Sequence, residues 1–159
     1  MAIRKIQPAD NQLLGTVIQQ VLKEFGIDRP GTAYYDAQLF SLYELFQTPG
    51  AAYWVAEIDG EIAGGGGIFP TKGLDKDCVE LVKFHLLPVA RGKGVGKELL
   101  LQCFAAAKEM GYQSMYLETM PELTTAVPMY ERNGFRHLNT PLGDSGHFAC
   151  TIWMQKPLH

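Results

Sequence analysis

A chain of 159 residues that is 47% hydrophobic and 19% charged has enough apolar material for one core, read as a single domain spanning 1–159, and too few charges to be disordered. Its 14 Lys and Arg against 17 Asp and Glu leave a formal charge of −3 with no basic run, which argues against nucleic acid as a partner, because a duplex-binding surface needs several clustered phosphate contacts. Apolar runs such as Leu99-Leu100-Leu101 fall far short of the roughly 20 residues that span a bilayer, and Met1-Ala2-Ile3-Arg4-Lys5-Ile6 lacks the apolar core of a secretory signal, so no membrane association and a cytoplasmic location are expected.

Residues 2–6 read as a short strand, with Asp10 placed to cap the helix that follows. Leu13, Leu14, Val17, Ile18, Val21, Leu22 and Phe25 mark that helix, because they recur at the 3.6-residue spacing of one apolar face, and Gly26 stops it. Leu39, Leu42, Tyr43 and Phe46 give a second helix ending before Thr48-Pro49-Gly50. Ala52–Ile58 and Glu61–Phe69 are apolar runs separated by Asp59-Gly60, a strong hairpin signal because that pair accepts the positive φ angles of a type I′ turn. The second run contains Gly64-Gly65-Gly66-Gly67, which costs about 0.5–1 kcal/mol per Gly relative to Ala. Either something approaches that backbone closely, or the run is bulged, or it is a tolerated weak strand.

Residues 78–87 read as a third strong strand. Residues 95–110 form a helix with Val95, Leu99, Leu100, Cys103, Phe104 and Ala107 on one side, closed by Gly111. Ser114–Thr119 is a strand, residues 125–133 a short helix closed by Gly134, and residues 148–154 the last strand, with Trp54 and Trp153 both in strands. Hairpins mixed with strand-helix-strand units predict an α/β fold, a mixed sheet of about six to seven strands flanked by about four helices.

The most informative stretch is Leu87-Pro88-Val89-Ala90-Arg91-Gly92-Lys93-Gly94-Val95-Gly96-Lys97, which joins a strand directly to a helix. The first amides of a helix lack internal partners and carry the positive end of its dipole. With Gly at 92, 94 and 96, a phosphate reaches them without meeting a Cβ. Arg91, Lys93 and Lys97 add positive charge. A P-loop is excluded, because the residue five before Gly96 is Arg91 and Lys97 is followed by Glu98; the dinucleotide fingerprint is excluded, because it needs Gly where Lys97 stands.

The pattern Arg91-x-x-Gly94-x-Gly96, with the strand before it and Ala126-Val127-Pro128-Met129-Tyr130-Glu131-Arg132-Asn133-Gly134-Phe135 after it, resembles the GNAT superfamily of acetyl-coenzyme A-dependent N-acetyltransferases. The resemblance implies a GNAT-like fold and an acyltransferase using acetyl-coenzyme A as co-substrate, with no metal. It further implies that the amides of Gly92, Lys93, Gly94, Val95, Gly96 and Lys97 hold the pyrophosphate, with Arg91 alongside. The pantetheine arm would pair with main chain near Phe84, His85 and Leu86, as an added strand would. Where many members carry Asn seven residues before the tyrosine, this chain has Leu123. Pro128 is tolerable only in the first turn of its helix.

Attack on a thioester requires a neutral amine. A lysine-like amine has a pKa near 10.4, so deprotonation at neutral pH costs roughly 4.6 kcal/mol, and a base must take the proton. A thiolate leaves well with a pKa of about 8.5, so a general acid helps less. Tyr130 matches the family tyrosine that donates to the departing sulfur. Two carboxylates compete as base. Glu80, on a strand face with Val82 and Phe84, stands where the histone-acetylating branch places its glutamate, and Glu118 where protein N-terminal acetyltransferases place theirs; a water chain could replace both.

Gly143-Asp144-Ser145-Gly146 imitates a serine-protease nucleophile but lacks the companion residues and reads as a turn. His137, His147 and His159 follow no metal-ligand spacing, and Cys78, Cys103 and Cys150 form no C-x-x-C pair, so surface or packing roles are expected. Tyr34, Tyr35, Asp36 and Tyr43 are placed to line an acceptor entrance. The acceptor is a small-molecule amine first and a protein amino group second. A non-catalytic acyl-coenzyme A sensor is the alternative, needing neither Tyr130 nor the glutamates. A homodimer, common among relatives, would cover strand edges.

Overall fold

The Asp59-Gly60 hairpin is where the sheet organises. In the computed structural model, which describes residues 1–159, these two residues take φ of 52° and 80° and join β2 (Ala52–Ile58) antiparallel to β3 (Glu61–Phe69). Around that pair lie β1 (Ala2–Lys5), β4 (Cys78–Leu86), β5 (Ser114–Thr119), β6 (Arg136–Leu138) and β7 (Ile152–Pro157), in the order β1-β2-β3-β4-β5-β7-β6. Every pairing is antiparallel except β4 with β5. A parallel pair needs a crossover, and α3 (Val95–Glu109) supplies it.

Strand alternation splits the apolar residues between two cores. Tyr53 and Val55 meet Leu14, Ile18 and Leu22 of α1 (Asn11–Glu24) on one face. Trp54 meets Leu99, Leu100 and Cys103 of α3 on the other, together with Tyr130 of α4 (Ala126–Arg132). The order of strands and helices is as the sequence leads one to expect, and Pro128 falls in the first turn of α4. No helix is long and apolar enough to cross a membrane.

Three local expectations are corrected. The last strand is Ile152–Pro157 rather than 148–154, and Phe148 lies in an irregular segment, 79% exposed. The second helix shrinks to α2 (Leu42–Leu45), although Leu39 and Phe46 are buried as their spacing suggests. Asp10 stands at the N-terminus of α1 but does not cap it; its carboxylate accepts instead from Arg4 at 2.8 Å and from the Gln7 amide at 2.7 Å. The Arg4 hydrogen bonds hold Asp10 below the usual carboxylate range, so its stabilisation is present above that range and is lost as pH falls through the lowered value. Arg4→Ala, which strands a carboxylate only 5% exposed, is expected to cost about 2 kcal/mol at pH 7 and much less near pH 3 in urea unfolding.

The decisive irregularity is in β4. Gly65 pairs with His85 and Gly67 with Val82, so Lys83 and Phe84 together oppose Gly66, and Lys83 takes φ 49°. The glycine run serves both close approach and a bulge. A Cβ at Gly66 would stand 2.4 Å from the Phe84 ring, and one at Gly64 2.1 Å from the His85 carbonyl oxygen. The bulge also breaks alternation. Val82 packs toward α1 while Phe84 packs toward α3, so Phe84 does not share a face with Glu80 and Val82 as strict alternation would have it. Past Glu80 and Tyr116 the pairing of β4 with β5 stops, although β4 runs on to Leu86 and β5 to Thr119. Two strand edges therefore lie open inside the sheet.

Candidate active site

The turn before α3 gathers backbone amides that find no acceptor in the chain. Gly92 and Gly94 take φ of 73° and 79°, the left-handed region that favours glycine, and Gly94 starts α3 with no side-chain cap. None of the six amides from Gly92 to Lys97 finds an acceptor in the chain. A Cβ at Gly92 or Gly94 would meet nothing within 4 Å, so this backbone faces open space. Lys93 and Lys97 are exposed and make no ion pair. Val95 is buried and offers only its amide. Arg91 is committed elsewhere: its guanidinium takes both oxygens of Glu24 at 2.8 and 2.9 Å, lies over the Phe25 ring and donates from Nε to the Leu86 carbonyl at 3.0 Å.

Phe84, His85 and Leu86 of β4 share a cleft of about 420 Å³ with Gly92, Gly94, Gly96 and Lys97, closed on the α4 side by Ala126, Met129 and Arg132. Leu123 also lines it, presenting methyl groups where the resembling family often has an amide. Burial pushes His85 down to about 4, so it is neutral at pH 7.

A narrow chamber of about 60 Å³ adjoins this cleft through the shared walls His85 and Leu123, and it is lined by Glu80, Glu118, Lys83, His147 and Cys150. A third chamber, of about 310 Å³, shares Glu80, Val82, Lys83 and His147 with the second. It is lined by the apolar Leu45, Phe46, Phe69 and Val82 and by the polar Asp36, Lys72, Asp144 and Ser145. The narrow chamber therefore shares lining residues with each of the other two.

Glu80 stands between the second and third chambers, 3% exposed. Its Oε1 accepts from the Thr71 hydroxyl at 2.5 Å. Burial above all, then the Glu118 charge, raises it to about 7 against the Thr71 bond, which lowers it. Glu118 has both oxygens engaged: Oε2 accepts from the Tyr116 hydroxyl at 2.6 Å, and Oε1 from Ser145. Tyr130 is buried against Phe84 and Phe135, with ring centroids at 6.2 and 5.7 Å. Burial raises its hydroxyl, which makes no hydrogen bond within the chain. Since no buried side-chain oxygen or nitrogen lacks a partner, that hydroxyl reaches an accessible surface. Tyr130 packs in the core on the α3 side and lines none of the three chambers, whereas Glu80 lines the second and third.

Asp36 lines the third chamber as expected for an entrance residue, whereas Tyr34, Tyr35 and Tyr43 line none of the three. Lys83 Nζ meets Asp36 at 2.5 Å, and His147 Nε2 meets the same carboxylate at 2.9 Å; together they outweigh burial and hold Asp36 below its usual range. Lys83, Ser145 and His147 are chamber residues that sequence spacing does not reveal. Their partners lie 47, 27 and 111 positions away, and no local pattern encodes such contacts.

Comparison with known proteins places these features in a family. The model of the acetyltransferase (GNAT) family matches residues 15–135. An uncharacterized N-acetyltransferase of Escherichia coli K12, YjgM, is 41% identical over 157 residues, covering 98% of this chain and 94% of its own. A GNAT-family acetyltransferase structure from Staphylococcus aureus superposes with a TM-score of 0.83 at 22% identity, covering 99% of both chains. The PaiA N-acetyltransferase of Thermoplasma acidophilum, solved in complex with coenzyme A, does so with a TM-score of 0.74 at 20% identity over 98% of each chain.

Proposed function

The chain belongs to the acetyltransferase (GNAT) family and is an acyltransferase; on that premise we propose that it moves the acetyl group of acetyl-coenzyme A to the primary amine of a small molecule. In this reading Glu80 takes the amine's proton and Tyr130 donates to the departing thiolate. The observation that carries it is Glu80, 3% exposed and lining both the narrow chamber and the third one, the narrow chamber in turn sharing His85 and Leu123 with the cleft at the glycine turn.

Acetyl-coenzyme A supplies the thioester when bound. The residues present suit it: six unpartnered amides at a helix N-terminus for the diphosphate, two free lysines beside them, and an open β4 edge at Phe84, His85 and Leu86 for the pantetheine amides. Coenzyme A bound in a solved structural neighbour supports the same assignment. The amine enters from the third chamber, whose roughly 310 Å³ is near the small end of ligand pockets and favours a small acceptor over a protein segment. Its mixed lining suits a short hydrocarbon body carrying a polar head.

Glu80 suits the base because its pKa near 7 matches the working pH, where a base is both ionised and proton-seeking. It also retains a carboxylate oxygen without a partner in the chain. Tyr130, held protonated by burial, can only donate. Tyr130→Phe is expected to lower kcat by about 10- to 100-fold while leaving coenzyme A affinity, read by calorimetry, within about twofold of wild type. Unchanged kcat would remove the acid assignment. A primary-amine panel incubated with acetyl-coenzyme A and read by mass spectrometry tests the acceptor. Acetylated small amines are expected; acetylation confined to peptides would move the acceptor to a protein amino group.

A further inference from the structure

Two backbone amides of the irregular segment 139–151 reach β5 by the same relay. The Leu142 N–H donates to the Tyr116 hydroxyl at 3.0 Å, and that hydroxyl donates to Glu118 Oε2 at 2.6 Å. The His147 N–H donates to the Ser145 hydroxyl at 3.1 Å, and that hydroxyl donates to Glu118 Oε1. Each hydroxyl already accepts from an amide, so its own hydrogen is free to point at the carboxylate. Both relays therefore end on the Glu118 carboxylate and engage both of its oxygens. A group so engaged is ill-suited to accept the substrate's proton.

We propose that Glu118 is a positioning residue: by terminating the two relays it fastens segment 139–151 over the acceptor chamber and fixes Asp144 and His147 relative to Glu80. The segment has no helix or strand of its own over residues 139–151. Its other ties are the Asp144 amide to the Lys72 carbonyl at 2.8 Å, the Ala149 amide to the Gly31 carbonyl at 3.2 Å, the Thr151 amide to the Thr119 carbonyl of β5 at 3.2 Å and the His147 ring to Asp36. The Glu118 relays hold the stretch between Leu142 and His147, which carries the chamber residues Asp144, Ser145 and His147. The role rests on Glu80 as the base, and it gives Glu118 a second effect through space. Glu80 is faced by Glu118 from β5, by Lys83 and His85 from β4, by Asp36 and Lys72 from two loops, and by Asp144, His147 and Cys150 from segment 139–151. Among these, Glu118 is the leading charge that raises it.

The test needs no acceptor. Amide exchange at Leu142 and His147 and the 13C carboxyl titration of Glu80 are followed by NMR in wild type, Glu118→Gln, Ser145→Ala and Ser145→Thr. Glu118→Gln presents an NH2 to one of the two hydroxyl hydrogens and removes the charge. It is expected to speed exchange about tenfold at the amide whose relay meets the NH2 and to lower the Glu80 midpoint toward the ordinary carboxylate range. Ser145→Ala is expected to speed exchange at His147 about tenfold while leaving the Glu80 midpoint near wild type, and Ser145→Thr, which keeps the hydroxyl, to restore slow exchange. Wild-type exchange at both amides in Glu118→Gln, or an unmoved Glu80 midpoint, overturns the proposal. Should Glu118→Gln fail to fold, the Ser145 pair decides: equal exchange in Ser145→Ala and Ser145→Thr overturns it. Absence of coenzyme A uptake by the wild-type protein would instead sink the functional reading, leaving the relay result standing.

Discussion

Glu80→Gln is expected to lower kcat/KM for a strongly basic alkylamine by about 10²- to 10⁴-fold, the usual contribution of a placed general base, and to lower it less for a weakly basic aromatic amine. The difference follows from the proton. An amine with a pKa near 10.4 must lose about 4.6 kcal/mol worth of protonation before it attacks at pH 7, whereas an aromatic amine is already neutral. In the wild type, Glu80 must be ionised to act, so the glutamate contributes a limb that rises with pH through about 7. That limb should vanish in the variant. Equal losses for the two amine classes, or a surviving limb near 7, would move the base elsewhere.

The same carboxyl makes an opposite prediction for stability. A folded-state pKa raised above the unfolded value means stability that is full below the unfolded value and is lost as pH rises through about 7. Glu80→Gln keeps an acceptor for Thr71 and never ionises. It should therefore unfold at higher urea than wild type at pH 8, by on the order of 3 kcal/mol or less, with the gap shrinking toward pH 5. A variant that is inactive yet more stable at alkaline pH cannot owe its inactivity to misfolding.

Gly94→Val is expected to weaken coenzyme A binding by about 100-fold. Gly94 sits at φ 79°, where an L-residue is strained by about 1–2 kcal/mol and a β-branched one by more. The new side chain would also project into the space its amide faces, since nothing in the chain lies within 4 Å of that position. Gly94→Asn separates the two causes, because Asn tolerates the left-handed region: the fold should persist, with a smaller affinity loss. Gly96 differs. It is helical, and a Cβ there meets only Met129 Sδ at 3.3 Å and Leu86 Cδ1 at 3.5 Å, so Gly96→Ala should cost no more than about tenfold. Calorimetric titration with coenzyme A reads all three.

The architecture is legible in the sequence where the signals are local. Asp59-Gly60 sets the hairpin, the stripe from Leu14 to Leu22 sets α1 although Leu13, counted with it by spacing, is 61% exposed, and the glycine turn before Val95 sets the start of α3. The glycine run of β3 hints at the β4 bulge. It could not say that Lys83 would be the residue turned to positive φ, because a bulge is settled between two strands and not within one. Hence Phe84 is misplaced by alternation alone. The end of the chain is misjudged for a similar reason: Phe148, Ala149 and Cys150 have strand-like composition, but β7 starts where Ile152 finds Thr119. At the site, Glu80, Glu118, Tyr130 and the turn amides are legible as candidates because they fall in a recognisable order. The cage of Asp36, Lys83, Ser145 and His147 is not, since contacts across the whole chain create it.

The most direct test of the account records amide 1H–15N spectra while coenzyme A is added to the wild-type protein. The six amides from Gly92 to Lys97, unpartnered within the chain, should show the largest downfield proton shifts, as N–H groups that gain an anionic acceptor. Binding that leaves those six resonances in place while others move would contradict it.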